Sequence, residues 1–307
     1  MNFFSYFLYI TIDVYPLITV PTQYSMNSMI DEDGKVKAYT QEFSYLLNKN
    51  IIVLYTGDNA VCDGISEKSF QSAKNIYNRN LGIWWNYPVN DYYIVNGKKN
   101  IKLALGPIEK LPKIKPNSIF YNPMQQPILS KISLATGADY ALSTSTYNPI
   151  ISWNKIIEKQ FGNLAHPMKI FASHSQHMEF SSAKCGPPDA PEFYEIAHQA
   201  ILEIKKGKNY DFTELNEMID DMIDSVIILL EKLPNNILKE SQSNLEQFHR
   251  IAIADLIAVH SLKKNKMDSE LKNLRKEIKD NESNGIISEF SAVLFIDEVI
   301  QFFEQKK

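Results

Sequence analysis

Short β-branched and aromatic runs alternate with amphipathic stretches through the first half of the chain, the rhythm of successive βα units. Leu17 to Val20, Ile51 to Tyr55, Leu81 to Trp85 and Ile119 to Tyr121 predict strands, with helices between them near Tyr39 to Asn48, Ser66 to Tyr77 and Gln126 to Leu142. Each predicted strand runs into a polar or turn-forming cluster: Pro21 to Tyr24, Thr56 to Asn59, Asn86 to Pro88, and Asn122 to Met124. Four such units amount to half of a parallel α/β barrel. From about Tyr147 the pattern becomes helical: Asp211 to Lys232, Asn235 to Leu262 and Glu289 to Gln305 carry apolar residues at helix spacing, as in Leu215, Ile219, Met222, Ile223, Val226 and Leu230. Val226 to Leu230 reads as a short core-facing run. Pro234 and Gly285 separate helices, and the Lys- and Glu-rich stretch Lys263 to Glu282 reads as a solvated helix or helical hairpin. The expectation is therefore an α/β part, residues 1–146, followed by an all-α bundle, residues 147–307.

That sheet has a consequence of its own. Half of a barrel leaves two strand edges unpaired and an apolar inner face open, so the predicted object is a curved four-stranded parallel sheet with helices on its outer side and an exposed inner surface.

Composition narrows the class. At 307 residues, 44% hydrophobic and 22% charged, the chain has the make-up of a globular protein with a sizeable core. Its net charge of -4 argues against nucleic acid as a partner. Met1 to Ile12 is apolar but lacks a basic start and a small-residue cleavage site, and it is too short to span a bilayer. It reads as a buried helix or strand lead-in, or as a truncated beginning; no transmembrane segment is expected. Cys62 and Cys185 are too few for a disulfide framework or a thiolate metal site.

Candidate chemistry concentrates in Leu81 to Tyr93, where an apolar run turns polar and presents Trp84, Trp85, Asn86 and Asp91. In a parallel β/α architecture the carboxyl ends of strands face the ligand cleft. Indole, amide and carboxylate together suit a sugar, with its apolar face and its hydroxyls. A buried strand whose tryptophans fill a core fits the same residues equally well. Other groupings read as structural. His174 and His177 with Glu179 lack a second ligand cluster, Gly57 to Gly64 lacks the alternating ligands of a calcium loop, and Cys62 has no neighbouring base. No metal and no cofactor is expected.

Five motifs, Pro16 to Tyr24, Val53 to Gly57, Ile83 to Asp91, Leu103 to Pro107 and Tyr121 to Met124, occur in the order found in glycoside hydrolase family 84. The likeness continues through Lys131 to Ser133, Ala138 to Tyr140 and Phe171 to Ser175, and more faintly into the C-terminal helices. The chain thus resembles a family of bacterial β-N-acetylglucosaminidases, often labelled hyaluronidases, and eukaryotic O-GlcNAcases. The resemblance implies the C-terminal half, strands five to eight, of a (β/α)8 barrel with an appended helical bundle. It also implies a terminal N-acetylglucosamine-containing glycan as ligand, and an extracellular or cell-surface setting, for which the chain shows no convincing export signal. By the same likeness Trp84 walls the acetamido pocket, Asn86, Asp91 and Asn122 bind sugar hydroxyls, Tyr24 contacts the acetamido oxygen or the cyclised intermediate, and Val20 and Thr56 line the mouth.

Family members hydrolyse by substrate assistance: the acetamido carbonyl attacks the anomeric carbon while two adjacent aspartates at the end of the fourth strand orient the N–H and shuttle the proton. Here the match starts just before the fifth strand, so no catalytic residue is assigned. The one Asp-Asp pair, Asp220 and Asp221, falls in a helical stretch and reads as helix surface. The expectation is a β-N-acetylglucosaminidase-family protein inactive alone, with a separate chain supplying the missing half barrel as one conceivable partner. The alternatives are a non-catalytic N-acetylglucosamine-binding remnant or a helical interaction module.

Overall fold

A computed structural model of the chain describes residues 17–111, 114–181 and 183–306. The expected lead-in Met1 to Ile12 lies outside the described residues. Contacts divide the chain into two compact units that interleave in sequence: one runs to Tyr87 and adds Glu109–Asn122 and Glu179–Cys185, the other comprises Pro88–Ile108, Pro123–Met178 and Gly186–Lys307.

The first unit is built on a parallel sheet. Its strands β1 (Ile18–Thr19), β2 (Ile52–Tyr55), β3 (Leu81–Trp85) and β4 (Ile119–Tyr121) lie side by side in chain order. The helices α1 (Met26–Met29), α2 (Ala38–Leu46) and α3 (Glu67–Tyr77) fall between the first three strands. Register pairs Val53 with Leu81, Tyr55 with Ile83, and Ile83 with Ile119. This row faces the helices, because the Tyr55 hydroxyl lies 2.6 Å from Ser69 Oγ on α3. Ser66 starts α3 by accepting from Ser69 N at 3.1 Å, with Glu67 in the positive first turn. Phe70, Ala73 and Tyr77 form its buried face.

Strand alternation sends Ile18, Leu54, Gly82, Trp84 and Phe120 to the opposite face. A Cβ on Gly82 would come within 2.5 Å of Ser118 Oγ and 2.6 Å of Leu54 Cδ2, so only glycine lets these neighbours meet over the strand. On this face Ile18 and Phe120 are 41% and 37% exposed, whereas Leu54 is 2% exposed and Gly82 is buried, so the face is open at its two edge strands and covered at its centre.

In the second unit the helices are α4 (Pro127–Leu142), α5 (Pro149–Phe161), α6 (Ala165–Ser173), α7 (Pro191–Lys205), α8 (Thr213–Lys232), α9 (Asn235–Lys263), α10 (Ser269–Asp280) and α11 (Ala292–Glu304). Helix α9 packs on α8, α10 and α11, and α8 packs on α6. Asn148 and Asp268 cap α5 and α10 through their side chains, and Pro149 opens α5 where its missing N–H costs nothing. The stretch Lys263 to Glu282 contains the short helix α10, which buries only Leu271 and Ile278. The stripe on α8 is Leu215, Ile219, Met222, Val226 and Leu229. The expected core-facing run Val226 to Leu230 is corrected here: Ile227 is 41% exposed, because five consecutive helical residues sweep past the whole circumference.

Between β3 and β4 the chain enters the second unit as irregular backbone, and almost all of Ile101–Ile108 is buried. A hairpin precedes it, in which Ile94–Val95 pairs antiparallel with Lys98–Lys99. Its turn is Asn96-Gly97 with φ of 50° and 78°, the left-handed pair that a two-residue hairpin demands.

One buried group opposes folding. Asp255 on α9 is fully buried, and neither carboxylate oxygen has a hydrogen-bond partner among the described residues. Burial pushes its carboxyl well above the usual range, so it folds protonated. Between the unfolded pKa and this raised value the native state binds the extra proton, and stability falls as pH rises. Asp255→Leu should therefore stabilise by about 1–3 kcal/mol near pH 7–8, with the gain shrinking toward pH 4. Urea denaturation across pH checks it; a gain that grows on acidification contradicts the assignment.

Candidate functional site

The carboxyl ends of the four parallel strands hold most of the residues singled out in the sequence. Val20 follows β1, Thr56 follows β2, Trp84 and Asn86 end β3, and Asn122 follows β4. All five continue the alternation of the inner face. Val20 is 42% exposed, Trp84, Asn86 and Asn122 are half-buried, and Thr56 is buried.

Asn86 is the centre of this end of the sheet. Its Oδ1 accepts from Trp84 Nε1 at 2.8 Å and from Asn122 Nδ2 at 3.0 Å. Its Nδ2 donates to the Ala60 carbonyl at 2.6 Å. One amide thus fixes the Trp84 indole, turns the Asn122 carboxamide so that its own oxygen is left to accept, and ties down the loop after β2. The backbone helps: Asn122 N donates to Trp85 O at 3.0 Å, extending the β3–β4 ladder by one residue past the strand.

Tyr24 joins through its backbone, its carbonyl accepting from Thr56 N at 3.0 Å and from Thr56 Oγ1 at 3.3 Å. Thr56 Oγ1 also lies 2.9 Å from Asn59 O. The Tyr24 ring is half-buried. Asp91 belongs to the other unit, where it is exposed in a turn.

The loop Gly57 to Gly64 connects β2 to α3. Asp58 accepts from Ser69 Oγ, and Asn59 accepts from Asn27 at 2.8 Å. Cys62 lies 3.2 Å from both the Thr56 and Gly64 carbonyls, and burial pushes its thiol up to about 11, the opposite of nucleophilic activation. His174 is within 2.7 Å of Ser288 Oγ, and His177 Nδ1 lies 3.1 Å from Gly186 O. Among the described residues no group of three metal-ligating side chains assembles. Asp220 and Asp221 sit on α8, the first exposed and the second bound to His166 at 2.8 Å. The Ala60 carbonyl is the functional contact that sequence reading missed, and no residue type could have signalled it, because the group is backbone.

The described residues thus hold a four-stranded parallel sheet, half of an α/β barrel in kind, with an aromatic and two amides at its carboxyl ends, the end that carries the site in such folds. Residues 4–173 match the family model described as beta-N-acetylglucosaminidase, and residues 195–296 match one described as hyaluronidase post-catalytic domain-like. The chain belongs to the β-N-acetylglucosaminidase family, glycoside hydrolase family 84. It is similar to the solved structure of CpGH84B, at 31% identity over 93% of this chain and 51% of that one, with a TM-score of 0.79. CpGH84D shares the fold at 17% identity, 98% and 52% coverage and a TM-score of 0.76. So does a mutant of the Thermobaculum terrenum O-GlcNAc hydrolase, at 19% identity, 98% and 64% coverage and a TM-score of 0.70. The chain spans from about half to under two thirds of the length of these structures.

If Asn86 organises this end of the sheet, Asn86→Ala should free the Trp84 indole. We expect its N–H resonance to move and lose exchange protection, with a stability loss of about 1–2 kcal/mol, the scale of a few half-exposed hydrogen bonds. Indole ¹H–¹⁵N spectra and urea melts measure both; an unmoved Trp84 signal would contradict the network.

Proposed function

We propose that the chain carries the hydroxyl-binding side of a β-N-acetylglucosaminidase site and does not turn over substrate unaided. In this reading residues 1–146 supply strands five to eight of a (β/α)8 barrel, and residues 147–307 form the bundle that follows. The observation that carries it is the Trp84–Asn86–Asn122 network, which holds one aromatic wall and one outward amide acceptor at the carboxyl ends of adjacent strands. A pyranose needs this pair: an apolar face to lie on and a fixed acceptor for a hydroxyl.

Each residue then has a role. Trp84 walls the acetamido pocket, with Val20 and Thr56 at its mouth. Asn122 Oδ1 accepts from a ring hydroxyl, and Asn86 holds it in place. Tyr24 meets the acetamido oxygen.

The chemistry is substrate-assisted retention, in which the acetamido oxygen attacks the anomeric carbon as the glycosidic oxygen leaves. It requires one carboxylate to hold the acetamido N–H and another to protonate the leaving oxygen. Asp220 and Asp221 cannot serve, because adjacent helical residues diverge by about 100° and this pair follows no strand. Without that pair the rate loses general acid–base help alone worth about 10² to 10⁴. This reading assigns no carboxylate within the 307 residues to either role.

Two measurements test the reading. N-acetylglucosamine should bind weakly to the purified chain, and Asn122→Ala should weaken it by roughly tenfold, the scale of one hydrogen bond at a partly buried site. An aryl β-N-acetylglucosaminide should stay intact when incubated with the 307-residue chain alone. Robust cleavage by the chain unaided, or binding indifferent to Asn122, would overturn it.

A further inference from the structure

A cavity of about 490 Å³ lies among α5, α6, α8 and the start of α7, within the second unit and apart from any residue assigned to sugar binding. Ile150, Trp153, Ile170, Met218 and Met222 give it apolar walls. Its volume falls within the range of small-molecule sites.

Two polar features meet there. The first is His174, only 3% exposed. Phe193 and Phe248 pack around its ring at centroid distances of 5.5 and 4.8 Å, and Ser288 Oγ lies 2.7 Å from Nδ1. What remains is the edge bearing Nε2, which has no protein partner among the described residues, on a residue that lines the cavity. Burial pushes its pKa down to about 3, so the ring is neutral near pH 7.

The second feature is the start of α7, a helix of 15 residues. Its N-cap is Ala190, which has no side chain to cap with, held at φ 35° while its N–H donates to Ser173 O at 2.8 Å. Pro191 has no N–H. The first-turn N–H groups of Glu192 and Phe193 therefore point out of the helix without a protein acceptor among the described residues. The charged side chains at the rim are already engaged or turned to solvent: Lys169 pairs with Glu158 at 2.6 Å, Asp221 with His166 at 2.8 Å, and Glu192 is exposed.

We infer that this cavity is a binding site for a small monocarboxylate with an apolar body. The carboxylate sits on the Glu192 and Phe193 N–H groups at the positive end of α7 and accepts from His174 Nε2–H. The body lies along Trp153, Ile170 and Met218. The tautomer that serves an anion is the one in which Ser288 Oγ donates to Nδ1 and the ring's own proton sits on Nε2, and the 2.7 Å contact accommodates it. Neither contact involves the sugar residues, so this site stands or falls separately from the proposed glycosidase role.

Titration of the full chain with benzoate, followed by ¹H–¹⁵N NMR, tests it. The expected result is saturable movement of the Glu192 and Phe193 amides, with the His174 ring nitrogens reporting a proton on Nε2. Benzyl alcohol, of similar shape but uncharged, should bind at least about tenfold more weakly, and His174→Phe should weaken benzoate by a similar factor. Met218→Trp at the half-exposed rim should abolish binding by filling the mouth, which keeps the test decisive where His174→Phe does not fold. No saturation below about 10 mM, equal affinity for benzyl alcohol, or binding unaffected by Met218→Trp would overturn the proposal.

Discussion

The second unit depends on a problem of buried backbone. Ile101–Ile108 runs as irregular chain through an interior of helices, where an unpaired peptide group costs as much as a lost hydrogen bond. Side chains and loop backbone from distant elements meet its needs. Asn244 Nδ2 donates to Ile101 O, Asn90 Nδ2 to Lys102 O, Ser175 Oγ to Leu103 O, and Trp153 Nε1 to Leu105 O. Ser133 Oγ reaches both Ala104 O and Gly106 O, and the Tyr147 hydroxyl donates to Ile108 O. On the donor side, Leu105 N reaches Ser175 O at 2.6 Å and Ile108 N reaches Thr136 Oγ1 at 2.8 Å. The buried Ser133 and Thr136 of α4, so unlike a usual helix core, are explained by this one stretch of chain, while Ser130 serves Met124 N and Gln126 O instead.

The sheet end in the first unit solves the converse problem. There the backbone is satisfied by the ladder, and side chains must be held still at a surface. Asn86 does so by using its oxygen twice and its nitrogen once, and the parallel register brings Asn122 beside it without any loop adjustment. A carboxamide is the smallest group that can accept from an indole and an amide while donating to a carbonyl. Aspartate would lose the donor to Ala60, and serine would lack the reach.

These two solutions differ in how far they could be read from sequence. The four strands were legible because a period of two and a polar terminus are local signals, and their carboxyl ends placed Val20, Thr56, Trp84, Asn86 and Asn122 on one side of one sheet. Leu103 to Pro107 was legible as a motif but not as a buried thread, since its partners lie as far away as Asn244. The α8 stripe was legible in its period, whereas Leu229 is buried where Leu230 was expected, and Ile223 and Leu230 are only half-buried, because phase along a helix is set by the neighbours it packs on. His174 and His177 looked like a pair in sequence, but one is wedged among aromatics and the other bonds a loop carbonyl.

The buried thread also carries a charge, and this explains how its position is selected. The Lys102 side chain is fully buried, with Nζ 2.6 Å from Glu289 Oε2 and 3.9 Å from Asp189 Oδ2. Tyr93 donates to the same Glu289 oxygen at 2.5 Å. Asp189 in turn holds the Gln176 and His177 N–H groups on Oδ1, at 2.7 and 2.8 Å. Burial drives the Asp189 carboxyl upward, against the pull of Lys102 and those two N–H groups, so the cluster gains little net stability from its charges. What it supplies is discrimination. A slip of one residue along the thread would take the ammonium off Glu289 and move the carbonyls of residues 101–106 and 108 away from their donors, leaving a buried charge and a row of unpaired peptides together. Apolar packing alone would penalise that slip weakly, because Leu103, Leu105 and Ile108 are interchangeable in kind; the polar contacts, each tied to one position, are what make the register single-valued.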